Sequence, residues 1–322
     1  CGATVLVGIV IDDSIIVAHL GDSSGVLCGA IKSGNLTEPT VDCIETTKYQ
    51  EMLKESGWSI LEPDDNEVGA DISSQFDVGN DETSVGMMGQ QPSTDIFWKE
   101  IVDIHSPARE DETQRIEAAN GWITTETEIP ISQLQRMDLF DDDVVDILKR
   151  CFSDRFNLDS NAHGSKKFHA EPGRLLHISR ICGELAVSRA LGDRDFKAAS
   201  NMPPDRNVDE SEDLASVSWD GPFFLDYAEN HTRKFLGDVV SSIPETQTFQ
   251  IHANVFFDEF LLLACDGLWD VMDADDAVRV TRNLIFDKGW SAKEAAARLA
   301  ELAIHLGSSD NITVILINFR RE

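Results

Sequence analysis

With 322 residues, 42% of them hydrophobic, the chain holds enough apolar material for one large domain or two small ones. Its formal net charge of -31 excludes the Lys- and Arg-rich surfaces that bind nucleic acid or an anionic membrane, so neither partner is expected. No stretch approaches the ~18 consecutive apolar residues of a membrane span. Six cysteines (Cys1, Cys28, Cys43, Cys151, Cys182, Cys265) form no C-x-x-C pair and read as reduced thiols of an intracellular protein, cytoplasmic or nuclear.

The first run, ATVLVGIVIDDSIIVAHLGDSSGVLCG, contains three short β-branched stretches punctuated by Asp12-Asp13 and by Asp22-Ser23-Ser24-Gly25, which predicts an antiparallel meander. From about 46 to 95 the sequence turns polar and acidic without a sustained period, the pattern of a surface insertion. Residues Glu110–Ala119 predict a short helix stopped by Asn120-Gly121. A second insertion covers about 125–170, within which LFDDDVVDILKRCF predicts one amphipathic helix, and a third covers about 200–235. The last part is the most regular: a strand over Phe256–Cys265, a helix from about Ala274, and a capping box of Ser291 with Glu294. That box opens a helix whose Leu299, Leu302, Ala303 and Leu306 share a face, and NITVILINF supplies a final strand. Antiparallel strands followed by a few helices predict a single α+β sandwich over 1–322, with the insertions on its surface. There is no internal repeat and no glycine-rich phosphate loop.

Three aspartates share one context. Asp22 follows SIIVAHLG, Asp266 follows LLLAC, and Asp310 precedes TVILINF in GSSDN, so each stands where a strand meets a loop. A carboxylate at the end of an apolar strand needs a partner, because removing an unpaired charge from water costs several kcal/mol or more. Hard divalent cations prefer such oxygen ligands. Taken singly, each aspartate reads as readily as a turn residue or helix cap.

The surrounding blocks resemble a known family, the metal-dependent protein phosphatases of the 2C type. Four match in order: CGATVLVGIV with VAHLGDSSGVLC, then DIHSPAREDETQRIEAANGWI, then GELAVSRALGDRDFK, then LLLACDGLWDVM with GSSDNITVILINF. Together they span about half of the chain. The resemblance implies a four-layer sandwich, with two central antiparallel sheets flanked by helices, and a binuclear Mg2+ or Mn2+ centre at one end of the sheets. It implies a phosphatase acting on phosphoserine and phosphothreonine in phosphoprotein substrates, by attack of a metal-bridged water. Asp266 and Asp310 match the family's metal-binding aspartates. Asp22 matches the position that helps to hold a third ion in members that have one. Arg189, in GELAVSRALGD, reads either as a phosphate contact or as an ion pair stabilising its loop, with the ion pair favoured. Trp269 and Met272 read as core residues.

The sequence departs from the family at its first metal motif, since no Asp-Gly-His-Gly-Gly block is present. Two expectations compete. Either the 322 residues are part of a longer enzyme and are inactive or nearly so alone, or the protein is a catalytically inactive relative whose acidic insertions bind a partner. The start on a core strand favours the first. Other chemistries fit less well. Cys182 and Arg189 are too far apart for a cysteine-phosphatase loop, and Asp141-Asp142-Asp143 reads as the acidic start of a helix. Asp64–Gly69 lacks the ligands of a calcium loop, and no paired histidines suggest zinc. The acidic surface predicts a preference for phosphosites flanked by Lys or Arg.

Overall fold

A computed structural model describes residues 1–31, 50–61, 95–128, 176–198, 235–252 and 256–319. The predicted helix in the second insertion, and Asp64, Asp141 and their neighbours, lie outside the described residues.

In chain order the strands begin with β1 (Gly2–Ala3), β2 (Val5–Ile11), β3 (Ser14–Leu20) and β4 (Ser24–Ile31). After β5 (Ser59–Ile60) and β6 (Ile96–Glu100) comes helix α1 (Glu110–Ala118), then β7 (Ile123–Glu128), β8 (Leu176–Ile181) and β9 (Leu191–Gly192). The C-terminal part holds β10 (Glu245–Gln250), β11 (Phe256–Ala264), the single turn α2 (Asp266–Trp269), α3 (Ala274–Arg282), α4 (Ala292–His305) and β12 (Val314–Asn318). All named strand pairs are antiparallel.

The first two runs form the expected hairpin, in register from Val5 opposite Leu20 to Ile11 opposite Ser14. Its turn places Asp12 at φ 50, a left-handed conformation that a short polar residue tolerates. The third run departs from the predicted meander. Instead of pairing with β3, β4 enters a second sheet ordered β12-β11-β4-β6-β5, while β3 is flanked by β10 and β2. The change of sheet occurs at Gly21, whose φ of +104 suits only glycine; a Cβ there would also meet the Thr4 side chain at 2.3 Å.

The two sheets stack, and period-two alternation decides which residues fill each interlayer. Leu27 and Ile31 of β4 and Leu261 and Leu263 of β11 face the smaller sheet, where they meet Ile15 and Val17 of β3. The alternate residues Val26, Cys28, Phe260 and Leu262 face the helices, against Leu268, Ala277, Val278, Leu299, Leu302 and Ala303. This is why β4 and β11 read as nearly continuous apolar runs: each is buried on both faces. The result is an α+β sandwich, sheet on sheet on helices. Among the described residues no helix covers the outer face of the smaller sheet, where Val7, Ile9, Ile11 and Ile16 are exposed.

The C-terminal helices start where their caps predict. Asp273 accepts from the Asp276 amide ahead of α3, and Ser291 and Glu294 exchange both bonds of the capping box ahead of α4. Leu299, Leu302 and Ala303 are buried as expected, and Leu306 packs beside them. Helix α1 ends at Ala118, and Asn120 takes the left-handed conformation past its end at φ 63. Its Ile116 packs with Ile181, Phe196 and Val239 in a separate core beneath the β7–β8 ribbon. No helix among the described residues is long and apolar enough to cross a membrane.

Candidate metal centre

Antiparallel order brings three distant stretches of sequence to one edge. Ser24 at the start of β4 pairs with Ala264 at the end of β11, and Ala264 pairs with Val314 at the start of β12. Asp22 lies two residues before the first of these positions, Asp266 two after the second, and Asp310 four before the third. The strand alternation that fills the core therefore delivers all three aspartates to the same end of the larger sheet. Asp22 and Asp266 are half-buried and Asp310 is exposed.

Their electrostatics are those of carboxylates without a counter-charge. Burial pushes Asp22 up to about 6, and the charges of Asp266, Asp270 and Asp310 push in the same direction. Asp266 is likewise raised, first by burial and then by Asp310. One oxygen of each outer aspartate is oriented by the next amide: Gly267 donates to Asp266 Oδ1 at 2.9 Å and Asn311 to Asp310 Oδ1 at 2.7 Å. A divalent cation would relieve this mutual repulsion, and an all-carboxylate oxygen set suits Mg2+ or Mn2+. The three aspartates do not converge on a single point; the described triads with ligand atoms within 4.8 Å of one another lie elsewhere.

Trp269 does more than pack. It sits against the helical core, as expected, and its Nε1 donates to both the Ala264 and Ser24 carbonyls, at 3.0 and 3.2 Å, fastening the start of β4 to the end of β11. It also lines a cleft of about 580 Å³ beside the aspartates. Asp22, Asp266, Asp270, Asp273, Glu100 and Asp103 give it an acidic lining, and His177 and Ser179 come from β8.

Arg189 does not line that cleft. Its guanidinium donates to Glu112 Oε1 at 2.6 and 3.0 Å, to Glu245 Oε1 at 2.8 Å and to the Ile243 carbonyl at 3.0 Å. These contacts are those of the ion-pair alternative. Arg115 holds the other Glu112 oxygen at 2.7 Å, and Arg109 binds Glu245 and Asp111. Glu112 is 1% exposed. Burial alone would raise it, yet the hydrogen bonds from Arg189, Arg115 and Ser188 outweigh burial and hold it at about 2.

One cluster has no signature in the sequence. His19 and His105 stack with centroids 4.3 Å apart, and Glu245 completes a triad of suitable ligand atoms. The tautomers argue against a cation there. Gly21 N–H donates to His105 Nδ1, so the neutral ring carries its proton on Nε2, the atom turned towards Glu245 at 3.4 Å. A metal on that nitrogen would require an imidazolate. Burial, then the Arg189 charge, lowers His105 to about 4, so the pair with Glu245 is not ionic at neutral pH. Among the described cysteines all four thiols are free, and burial pushes Cys182 up to about 12, a core thiol rather than a nucleophile.

Residues 165–312 match the family model described as Protein phosphatase 2C. The chain is 34% identical over 151 residues to protein phosphatase 2C 57 of Arabidopsis thaliana, a stretch covering 47% of this chain and 35% of the relative. It is 33% identical over 163 residues to protein phosphatase 2C homolog 1 of Schizosaccharomyces pombe, covering 51% and 33%. These matches therefore span about a third of each relative's length. A serine-threonine phosphatase 2C from Toxoplasma gondii overlaps 99% of this chain and 58% of its own at a TM-score of 0.42 and 14% identity, too loosely to carry the fold, which rests on the strand pairings above. The ordered motifs, the family model over residues 165–312 and these relatives agree in what the chain is similar to: the protein phosphatases of the 2C type.

Proposed function

We propose that the protein is a serine/threonine phosphoprotein phosphatase that depends on Mg2+ or Mn2+, with Asp266 and Asp310 as metal ligands and Asp22 as a ligand of a third ion. The observation that carries the reading is the meeting of three aspartates at one sheet end, where Asp22 is raised to about 6 by burial and by its neighbours' charge, beside an open acidic cleft. Ions bound there would neutralise the phosphoryl oxygens and acidify a water at neutral pH. The chain's own part is to hold the carboxylates in place: Gly267 and Asn311 amides orient two of them, and Trp269 ties together the strands that carry Asp22 and Asp266.

The cleft also bears on the substrate. Glu100, Asp103, Asp270 and Asp273 along its lining favour a phosphosite flanked by Lys or Arg and disfavour an acidic one. Equal processing of basic and acidic phosphopeptides at low salt would refute that preference.

Three carboxylates are an incomplete ligand set for two ions, so the 322 residues alone are expected to be inactive or nearly so. Robust Mn2+-dependent turnover by them contradicts this. In the full-length protein, Asp266→Ala is expected to abolish Mn2+-dependent phosphate release from phosphothreonine peptides; turnover that survives the substitution overturns the assignment.

A further inference from the structure

Ladder pairing between β11 and β12 ends at Ala264 opposite Val314, with one more backbone bond from Cys265 N–H to the Thr313 carbonyl at 3.2 Å. Beyond that point a side chain takes over. Cys265 Sγ donates to the Asn311 carbonyl at 3.1 Å and accepts from the Thr313 amide at 3.2 Å, giving partners to two backbone groups that the diverging strands no longer pair. Cys265 precedes Asp266 in the chain, and Asn311 follows Asp310. The residue whose amide orients Asp310 thus has its carbonyl on the thiol beside Asp266.

A second feature shows how closely the two segments approach. A Cβ at Gly267 would meet the Asn311 carbonyl oxygen at 2.6 Å and the Ile312 side chain at 3.1 Å, so the turn after Asp266 lies directly on the loop after Asp310. Glycine permits the approach and the thiol fixes its register.

We propose that Cys265 is a positioning residue for the metal centre: its thiol clamps the Asn311–Thr313 segment to the end of β11 and so sets the spacing of Asp266 and Asp310. The inference rests on the reading of those aspartates as ligands. It assigns no redox or nucleophilic chemistry to the thiol, whose role is one hydrogen bond given and one received. Groups that act behind metal ligands typically change affinity by about 10–100-fold when removed.

The test is calorimetric titration of Mn2+ into the wild-type chain, Cys265→Ala, Cys265→Ser and Asp266→Ala, with thermal unfolding in EDTA and amide exchange at Asn311 and Thr313 measured beside it. Serine keeps a donor and an acceptor, so it reports on hydrogen bonding rather than bulk. The expected result is a loss of Mn2+ affinity of about tenfold in Cys265→Ala, recovery by Cys265→Ser to within about threefold, and faster exchange at Thr313 in the alanine variant alone. Wild-type affinity in Cys265→Ala overturns the proposal, as does a serine variant as weak as alanine. Failure of the metal reading itself looks different: wild type and Asp266→Ala then bind equally or not at all, and the proposal falls with it.

Discussion

Two acidic regions of this molecule are built to opposite electrostatic plans. Around Glu112 every buried carboxylate oxygen meets a guanidinium: Arg189 holds one, Arg115 the other, and Arg109 joins them through Glu245. The result is a carboxylate held at about 2. At the strand ends Asp22 is raised to about 6, by burial first and then by the charges of Asp266, Asp270 and Asp310. The same residue type is matched in one place and left against its own kind in the other. The first arrangement fastens α1 to the segments around Ser188 and Val239, through Arg115 bonds to both carbonyls. The second sets like charges against one another, a repulsion that an added cation or a proton would relieve, and on the proposed reading it is a cation site rather than a brace.

Breaking the matched region is expected to have the largest effect. Glu112→Ala leaves the half-buried Arg189 and Arg115 without their shared partner and should cost about 3 kcal/mol in urea unfolding; a loss below about 1 kcal/mol would show that the network contributes little. The pH dependence sharpens the contrast. Glu112 is depressed from an ordinary 4.5 to about 2, so its contribution is present above about 4.5 and lost as pH falls towards 2. Asp22 is raised from 3.8 to about 6, so its ionised form destabilises the metal-free fold above about 6, and protonation relieves it as pH falls towards 4. In EDTA, Asp22→Asn should therefore be more stable than wild type at pH 7 by on the order of 1 kcal/mol, with the advantage vanishing near pH 4. An advantage that does not change with pH would point to packing instead.

Smaller effects test the supports of each region. Trp269→Phe removes the donor shared by the Ser24 and Ala264 carbonyls and should lower stability by about 1 kcal/mol, with Mn2+ affinity falling too, because the strands bearing Asp22 and Asp266 lose their tie. Ser291→Ala, which removes a cap remote from both regions, should lower stability by about 1 kcal/mol and leave Mn2+ affinity unchanged. Equal loss of metal affinity in the two variants would remove the special place given to Trp269.

What could be read from the sequence follows from the range of the interactions. The capping box at Ser291, the helix after Asp273 and the strand ending at Ala264 were legible because residues within four positions or one alternating run decide them. The departure of β4 from β3 was not, since its partner β11 lies more than two hundred residues along the chain. The arginine network is equally non-local: Arg109 and Glu245 are 136 residues apart. Asp22, Asp266 and Asp310 were legible as a set through the motifs around them. Their arrival at one end of the sheet depends on two pairings, Ser24 with Ala264 and Ala264 with Val314, that no local pattern encodes. The part played by Cys265 was illegible for the same reason, because its partners Asn311 and Thr313 reach it only once β12 is in place.

The most direct test of the claim that the strand-end aspartates form a cation site is thermal unfolding of wild type and Asp22→Asn/Asp266→Asn at pH 7, each in EDTA and in Mn2+. The account predicts a reversal: the double variant melts above wild type in EDTA, where repulsion is removed, and below it in Mn2+, where only wild type gains from binding. Parallel responses of the two proteins to Mn2+ would contradict it.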